Sequence, residues 1–172
     1  DLAAGPKSDI SVLKDMEKFY LRIGKKPVVF EKFINGYVAN RLQAAMGLEI
    51  TKLLDEGWAT ATAIDDSIKY GLSLRMALMG SLMKADFTGL DMMQRGMANM
   101  TYDPPTPKGS SPTLDKLVAS GRGGVMSGAG YFDYGGVSAK ELFKNRDIGL
   151  LRLKNEVDQI EGKYPLGKRG NT

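Results

Sequence analysis

Asn40 is the first side chain in this sequence placed to do chemistry. It lies in Gly36-Tyr37-Val38-Ala39-Asn40-Arg41, one turn inside the start of a segment with helical apolar periodicity. An amide carries both a donor and an acceptor, and near a helix N-terminus it can orient a carbonyl where negative charge develops. An ordinary helix asparagine, or a core amide satisfied by its neighbours, is the plainer alternative. Arg75 is the second candidate. It stands in Gly71-Leu72-Ser73-Leu74-Arg75-Met76-Ala77-Leu78-Met79-Gly80, which reads as a loop between helices. A guanidinium there can clamp a carboxylate or phosphate through two parallel hydrogen bonds, or it can cap the last carbonyls of a helix. The capping role is the simpler one.

What the chain lacks narrows the chemistry further. It has neither cysteine nor histidine, which removes disulfide frameworks, zinc sites of the usual ligand types and every nucleophile-histidine pair within these 172 residues. A self-contained acid-base enzyme needs a group titrating near neutrality, and histidine is the usual one. The formal charge is +4, from basic residues scattered along the chain with one local excess at Lys163, Lys168 and Arg169, so nucleic acid is not an expected partner. No apolar run approaches the ~20 residues of a membrane span, and no basic-then-apolar signal pattern opens the sequence. The expectation is a soluble, cytoplasmic protein with no membrane partner.

The elements that must position these side chains are mostly helical. Ser8 can cap a helix carrying Ile10, Leu13, Met16, Phe19, Tyr20 and Ile23 at helical spacing, stopped by Gly24. The β-rich Pro27-Val28-Val29-Phe30 follows, so the segment reads as the end of a β-α-β unit with no upstream strand to pair with. Residues 37–54 form one long helix closed by Gly57 and Trp58. Thr62 with Asp65 predicts a capping box for a short helix ending at Gly71. Two further helices are expected over 81–87 and 90–100, separated by Gly89, and residues 102–110 are too rich in turn formers to be anything but a loop. Another helix spans 112–120, and Ser138 with Glu141 opens a terminal helix through Ile160. Residues 167–172 read as a disordered tail.

Two stretches remain. Seven of the ten methionines fall between Met76 and Met100. Methionine fills irregular apolar gaps, so these side chains belong either to a core or to a surface between two copies of the chain. The glycine-dense run Gly123-Gly124-Val125-Met126-Ser127-Gly128-Ala129-Gly130 resembles a phosphate loop superficially, but no strand precedes it and no helix follows in the order a dinucleotide fingerprint needs.

In order, Gly36 to Arg41, Lys69-Tyr70-Gly71-Leu72, Ala85-Asp86-Phe87-Thr88-Gly89-Leu90-Asp91 and the run from Gly123 through Tyr131-Phe132-Asp133-Tyr134 resemble the C-terminal domain of the 3-hydroxyacyl-CoA dehydrogenase family. The resemblance implies an all-α multi-helix domain of the 6-phosphogluconate dehydrogenase C-terminal-like type. Residues 1–32 would be the βα remnant of an NAD-binding Rossmann domain, and residues 33–172 the helical substrate and dimerisation domain. It implies NAD as cofactor, bound mainly by an N-terminal Rossmann domain absent from this chain, which would also bring a histidine-glutamate pair to remove the hydroxyl proton.

The same resemblance places Asn40 at the substrate, and Met126 and Ser127 in a turn that approaches the nicotinamide. Relatives carry lysine where this chain has Met126, proline where it has Asn35, and proline where it has Ser81. The implied activity is (3S)-3-hydroxyacyl-CoA oxidation in fatty-acid β-oxidation, with an acyl-CoA substrate and a homodimer formed through the helices. The chain alone is expected to be inactive. One alternative is a related dehydrogenase of a small hydroxy or aldehyde acid, in which Arg75 anchors the carboxylate. The other is a non-catalytic helical dimerisation module.

Overall fold

The computed structural model describes residues 1–167. The architecture is all-α apart from one pair of two-residue strands. The chain divides into two compact units, residues 1–49 and 50–172, with the long second helix running through the division.

The first unit holds β1 (Leu2–Ala3), α1 (Ile10–Arg22), β2 (Val29–Phe30) and most of α2 (Tyr37–Asp55). β1 and β2 pair in parallel, Leu2 opposite Val29 and Ala3 opposite Phe30. The Leu2 amide donates to the Val28 carbonyl at 2.8 Å, and the Ala4 amide to the Phe30 carbonyl at 3.2 Å. With α1 as the crossover this is a complete, if minimal, β-α-β unit. The upstream strand that the sequence reading found missing is therefore present, in two residues too few to show any alternation. Ala4 and Leu13 are buried where α1 packs on β1. The cap of α1 is Asp9 and not Ser8: Asp9 Oδ1 accepts from the Ser11 amide at 2.8 Å, while Ser8 Oγ is turned back to accept from Gly5. Gly24 ends the helix at φ 76°, in the left-handed region glycine favours.

The second unit contains α3 (Ala61–Asp66), a π-helical segment (Ser67–Ser73), α4 (Leu74–Thr88), α5 (Leu90–Ala98), α6 (Pro112–Ala119), a 3₁₀ turn (Val125–Ser127) and α7 (Ala139–Lys163). Thr60, not Thr62, caps α3, its Oγ1 accepting from the Ala63 amide at 3.2 Å. Nor does the helix stop at Gly71. It widens into the π-helical segment and continues into α4, because Gly71 here keeps helical geometry. The break falls at Gly80 (φ 73°, ψ −176°), which divides α4 into residues 74–79 and 81–88. Ser138 caps α7 through the Glu141 amide at 3.2 Å, as its spacing predicts. The expected disordered tail lies, but for Gly167, outside the described residues.

One junction ties distant sequence together in this unit. Ser111 caps α6 by accepting from the Leu114 amide at 3.3 Å, and its own hydroxyl donates to Asp55 Oδ1 at 2.8 Å. The Thr113 amide reaches the same carboxylate oxygen at 2.9 Å. The Thr113 amide hydrogen bond is the main cause holding the Asp55 carboxyl below its ordinary range.

Burial is sparse. Among the described residues only Ala4, Leu13, Ile64, Ser111 and Gly130 are buried, while Leu82 and Met126 are 78% and 79% exposed. Many apolar side chains of α4, α5 and α7 face solvent, including Phe87, Leu90, Met97 and Leu151.

Candidate functional site

Asn40 lies in the first turn of α2, exposed to solvent. The helix start that presents it is unusual. Gly36 (φ 79°) and Tyr37 (φ 49°) are consecutive left-handed residues, and a non-glycine residue there costs about 1–2 kcal/mol. The Tyr37 ring offsets part of that by meeting Phe33 edge-on, with centroids 5.8 Å apart. Among the described residues the Asn40 amide has no hydrogen-bond partner, so its donor and acceptor are both open to a ligand.

Arg75 sits on a helix and not in the loop that its flanking glycines suggest. Its Nε donates to the Gly71 carbonyl at 2.9 Å, and Nη2 donates to the same oxygen. The guanidinium thus satisfies a carbonyl of the π-helical segment with one edge. Of its five N–H groups this uses two, and the outer edge, exposed, keeps three. Beside it on the same segment, Lys69 Nζ lies 4.9 Å from the centroid of the Tyr70 ring. The hydrogen bond with Tyr70 is the main cause raising the Lys69 ammonium above its ordinary value.

Met126 and Ser127 stand together in a tight turn built by glycines. The Gly124 amide donates to the Ala129 carbonyl and the Gly130 amide to the Phe132 carbonyl, both at 2.8 Å. A Cβ on Gly130 would lie 3.0 Å from the Gly124 Cα, so any side chain there would force the facing backbone to shift by a few tenths of an ångström. Ser127 Oγ is 2.9 Å from the Gly124 carbonyl and 3.0 Å from the Ala129 carbonyl. One hydroxyl proton serves one of these at a time, so toward a ligand Ser127 offers lone pairs only. Met126 projects outward and forms one wall of an open groove of about 700 Å³ along α7, with Phe143, Lys144, Ile148 and Leu151.

Sequence reasoning missed Arg122. Its Nε donates to the Gly130 carbonyl at 2.8 Å and its Nη1 to Asp133 Oδ1 at 2.8 Å, tying the two ends of this turn. The signal available was one arginine and one aspartate bracketing a glycine-dense run. Met126 and Ser127 are brought together; Arg75 makes its described hydrogen bonds only to Gly71; Asn40 belongs to the other unit.

The turn can present an apolar wall and an acceptor to a planar amide-bearing ring. A pyrophosphate cradle is a different matter, since no Gly-x-Gly-x-x-Gly occurs in the sequence and β1 leads into Ala4-Gly5-Pro6. The turn offers no cradle for the phosphates of a dinucleotide. Among the described residues no three histidine, cysteine, aspartate or glutamate side chains cluster to hold a metal, and no helix is long and apolar enough to cross a membrane.

Comparison with known proteins adds the following. Residues 36–134 match the model of the 3-hydroxyacyl-CoA dehydrogenase C-terminal domain. The L-carnitine dehydrogenase of Oceanobacillus iheyensis is 30% identical over 170 residues, covering 96% of this chain and 52% of that protein. The 5-formyl-3-hydroxy-2-methylpyridine 4-carboxylate 5-dehydrogenase of Mesorhizobium japonicum is 25% identical over 161 residues, 94% of this chain and 52% of that protein. A crystal structure described as such a pyridine-carboxylate dehydrogenase, an NAD+ dependent dismutase, superposes with a TM-score of 0.82 at 24% identity, over 91% of this chain and 50% of that one. The chain therefore spans about half the length of the curated relatives it matches.

Proposed function

This chain belongs to the 3-hydroxyacyl-CoA dehydrogenase family by its C-terminal domain, and on that premise we propose that it is the substrate-side and dimerisation part of an NAD-dependent dehydrogenase of a small hydroxy or aldehyde acid. The observation that carries this reading is the match over nearly the whole chain to L-carnitine dehydrogenases. Carnitine is a hydroxy carboxylate, and the pyridine carboxylate of the second relative also presents an acid group. The outer edge of Arg75 is the matching chemistry: a charged, partly pre-fixed fork suited to a carboxylate. A coenzyme A thioester has no carboxylate at that end for the fork to hold.

Residues 1–32 are assigned to the cofactor-binding domain and 33–172 to substrate binding and pairing, an assignment that the parallel β1-α1-β2 unit supports. Bound NAD supplies the hydride acceptor. In the second unit Arg75 anchors a carboxylate, and Met126 and Ser127 pack against the nicotinamide; in the first, Asn40 offers its amide N–H to a substrate oxygen. None of these four side chains is a base near neutrality, so the proton goes to another group. Pairing with a second copy is supported by the sparse burial. The exposed apolar side chains of α4, α5 and α7 are the surface such pairing would cover.

The test is to assay the full-length enzyme carrying this chain, of known native mass, on L-carnitine with NAD+ and on acetoacetyl-CoA with NADH. A dimer that oxidises the small acid, with Arg75→Ala lowering kcat/KM about 10- to 150-fold as expected for a lost charged hydrogen bond, supports the reading. Turnover of the thioester that is indifferent to Arg75→Ala returns the acyl-CoA reading. A monomer contradicts the pairing.

A further inference from the structure

We propose that Arg122 is a positioning residue that locks the Met126-Ser127 turn in the shape presented to the nicotinamide. The proposal deepens the cofactor-side reading of that turn and rests on it. The turn projects from a backbone with few side chains to fix it: Gly121, Gly123, Gly124, Gly128 and Gly130 all lie within ten residues. Glycine loses the most conformational freedom on ordering, so such a run holds one shape only under external ties. Its backbone hydrogen bonds each span six residues or fewer: Gly124 to Ala129, Gly130 to Phe132, Ser127 to Gly124, Gly128 to Val125 and Tyr134 to Gly128, amide to carbonyl in each case. Arg122 alone among the described side chains spans the run, reaching eight residues on to the Gly130 carbonyl and eleven on to Asp133.

The two bonds leave from Nε and Nη1 of one rigid plane, so the fork fixes the direction as well as the distance between the two acceptors. Its side chain is 32% exposed against 77% for Asp133, so the arginine is the sheltered partner. Ser127, whose hydroxyl is turned inward to Gly124 or Ala129, and the outward Met126 both sit inside the loop thus closed. A lysine would place a point charge there and not a planar fork, so it would fix the direction of neither acceptor.

The experiment compares Arg122→Gln, Arg122→Lys and Ser127→Ala in the full-length protein, by hydrogen exchange over residues 123–134 without cofactor and by NADH fluorescence titration. Arg122→Gln is expected to speed exchange of the Gly124 and Gly130 amides at least tenfold and weaken NADH about tenfold. Arg122→Lys should fall between it and the parent, with exchange elsewhere unchanged. Unchanged exchange in Arg122→Gln overturns the clamp. Faster exchange with unchanged NADH affinity overturns the positioning role, and so does exchange that rises throughout the protein, since that marks general destabilisation. Ser127→Ala tests the underlying reading separately: if neither it nor Arg122→Gln alters NADH affinity, the turn does not face the cofactor.

Discussion

Replacing Ser111 with alanine removes two interactions at once, and their sizes can be separated. The hydroxyl caps α6 through the Leu114 amide and donates to Asp55 at the end of α2, from a position only 6% exposed. Loss of a serine cap costs about 1 kcal/mol. Loss of a hydrogen bond to a charged acceptor adds roughly 1 kcal/mol or more, tempered because the Thr113 amide still binds the same oxygen. The sum is about 2 kcal/mol, which for a chain of this length lowers Tm by about 4–8 °C. Ser138→Ala is the internal control. Ser138 caps α7 in the same manner, but among the described residues it has no aspartate partner, so it should cost about 1 kcal/mol. Both variants are to be compared with the parent by urea and thermal unfolding at one protein concentration, since the Tm of an associating chain moves with concentration. If Ser111→Ala costs no more than Ser138→Ala, the link between α2 and α6 through Asp55 contributes nothing to stability and the reasoning is wrong.

Two further outcomes follow from the same geometry. Gly130→Ala sets a Cβ against the Gly124 backbone at 3.0 Å, where no flexible side chain can give way. It should release the 124 to 129 hydrogen bond, visible as fast exchange of the Gly124 amide, whereas Gly149→Ala, with open space around it, should leave exchange in the turn unaltered. Asp55 supplies a pH test. Its folded-state carboxyl is lowered, chiefly by the Thr113 amide, so its contribution is present above the ordinary carboxylate value of about 3.9 and is lost as pH falls through the lowered one. The urea midpoint of the parent should exceed that of Asp55→Asn at pH 7, and the difference should shrink from about pH 4 downward. A difference that grows on acidification would contradict the assignment.

Local signals were legible and non-local ones were not. Ser138 with Glu141, Gly24 and the proline-rich loop act within four residues of themselves, so their types and spacing suffice. Ser8 and Thr62 show where that fails: each has a cap-forming neighbour, Asp9 and Thr60, and the choice depends on which side chain the backbone turns toward the helix. β1 is two residues long and has no periodicity to read; only its pairing with β2 makes it a strand. The apolar residues of α4, α5 and α7 can be read from the sequence, yet residue type reports that a side chain is apolar and not what covers it. Asn40 and Arg75 could be nominated from residue type, but the Gly71 carbonyl that occupies one edge of Arg75 could not. Arg122 was invisible because its partners, a carbonyl and an aspartate, lie eight and eleven residues away across a glycine-dense run.

The π-helical segment lets chain length change without a change of direction. Residues 67–73 join α3 to α4 without a break, in hydrogen-bond rings one residue wider than those of an α-helix. A wider ring takes up one extra residue, so removing a single residue there and closing the rings to ordinary size would leave everything downstream, Arg75 included, facing nearly the same way. The same deletion in a purely α-helical stretch would turn it by about 100° about the axis. Residues 67–73 are thus a place where the chain can absorb a one-residue length change while the guanidinium keeps its aim.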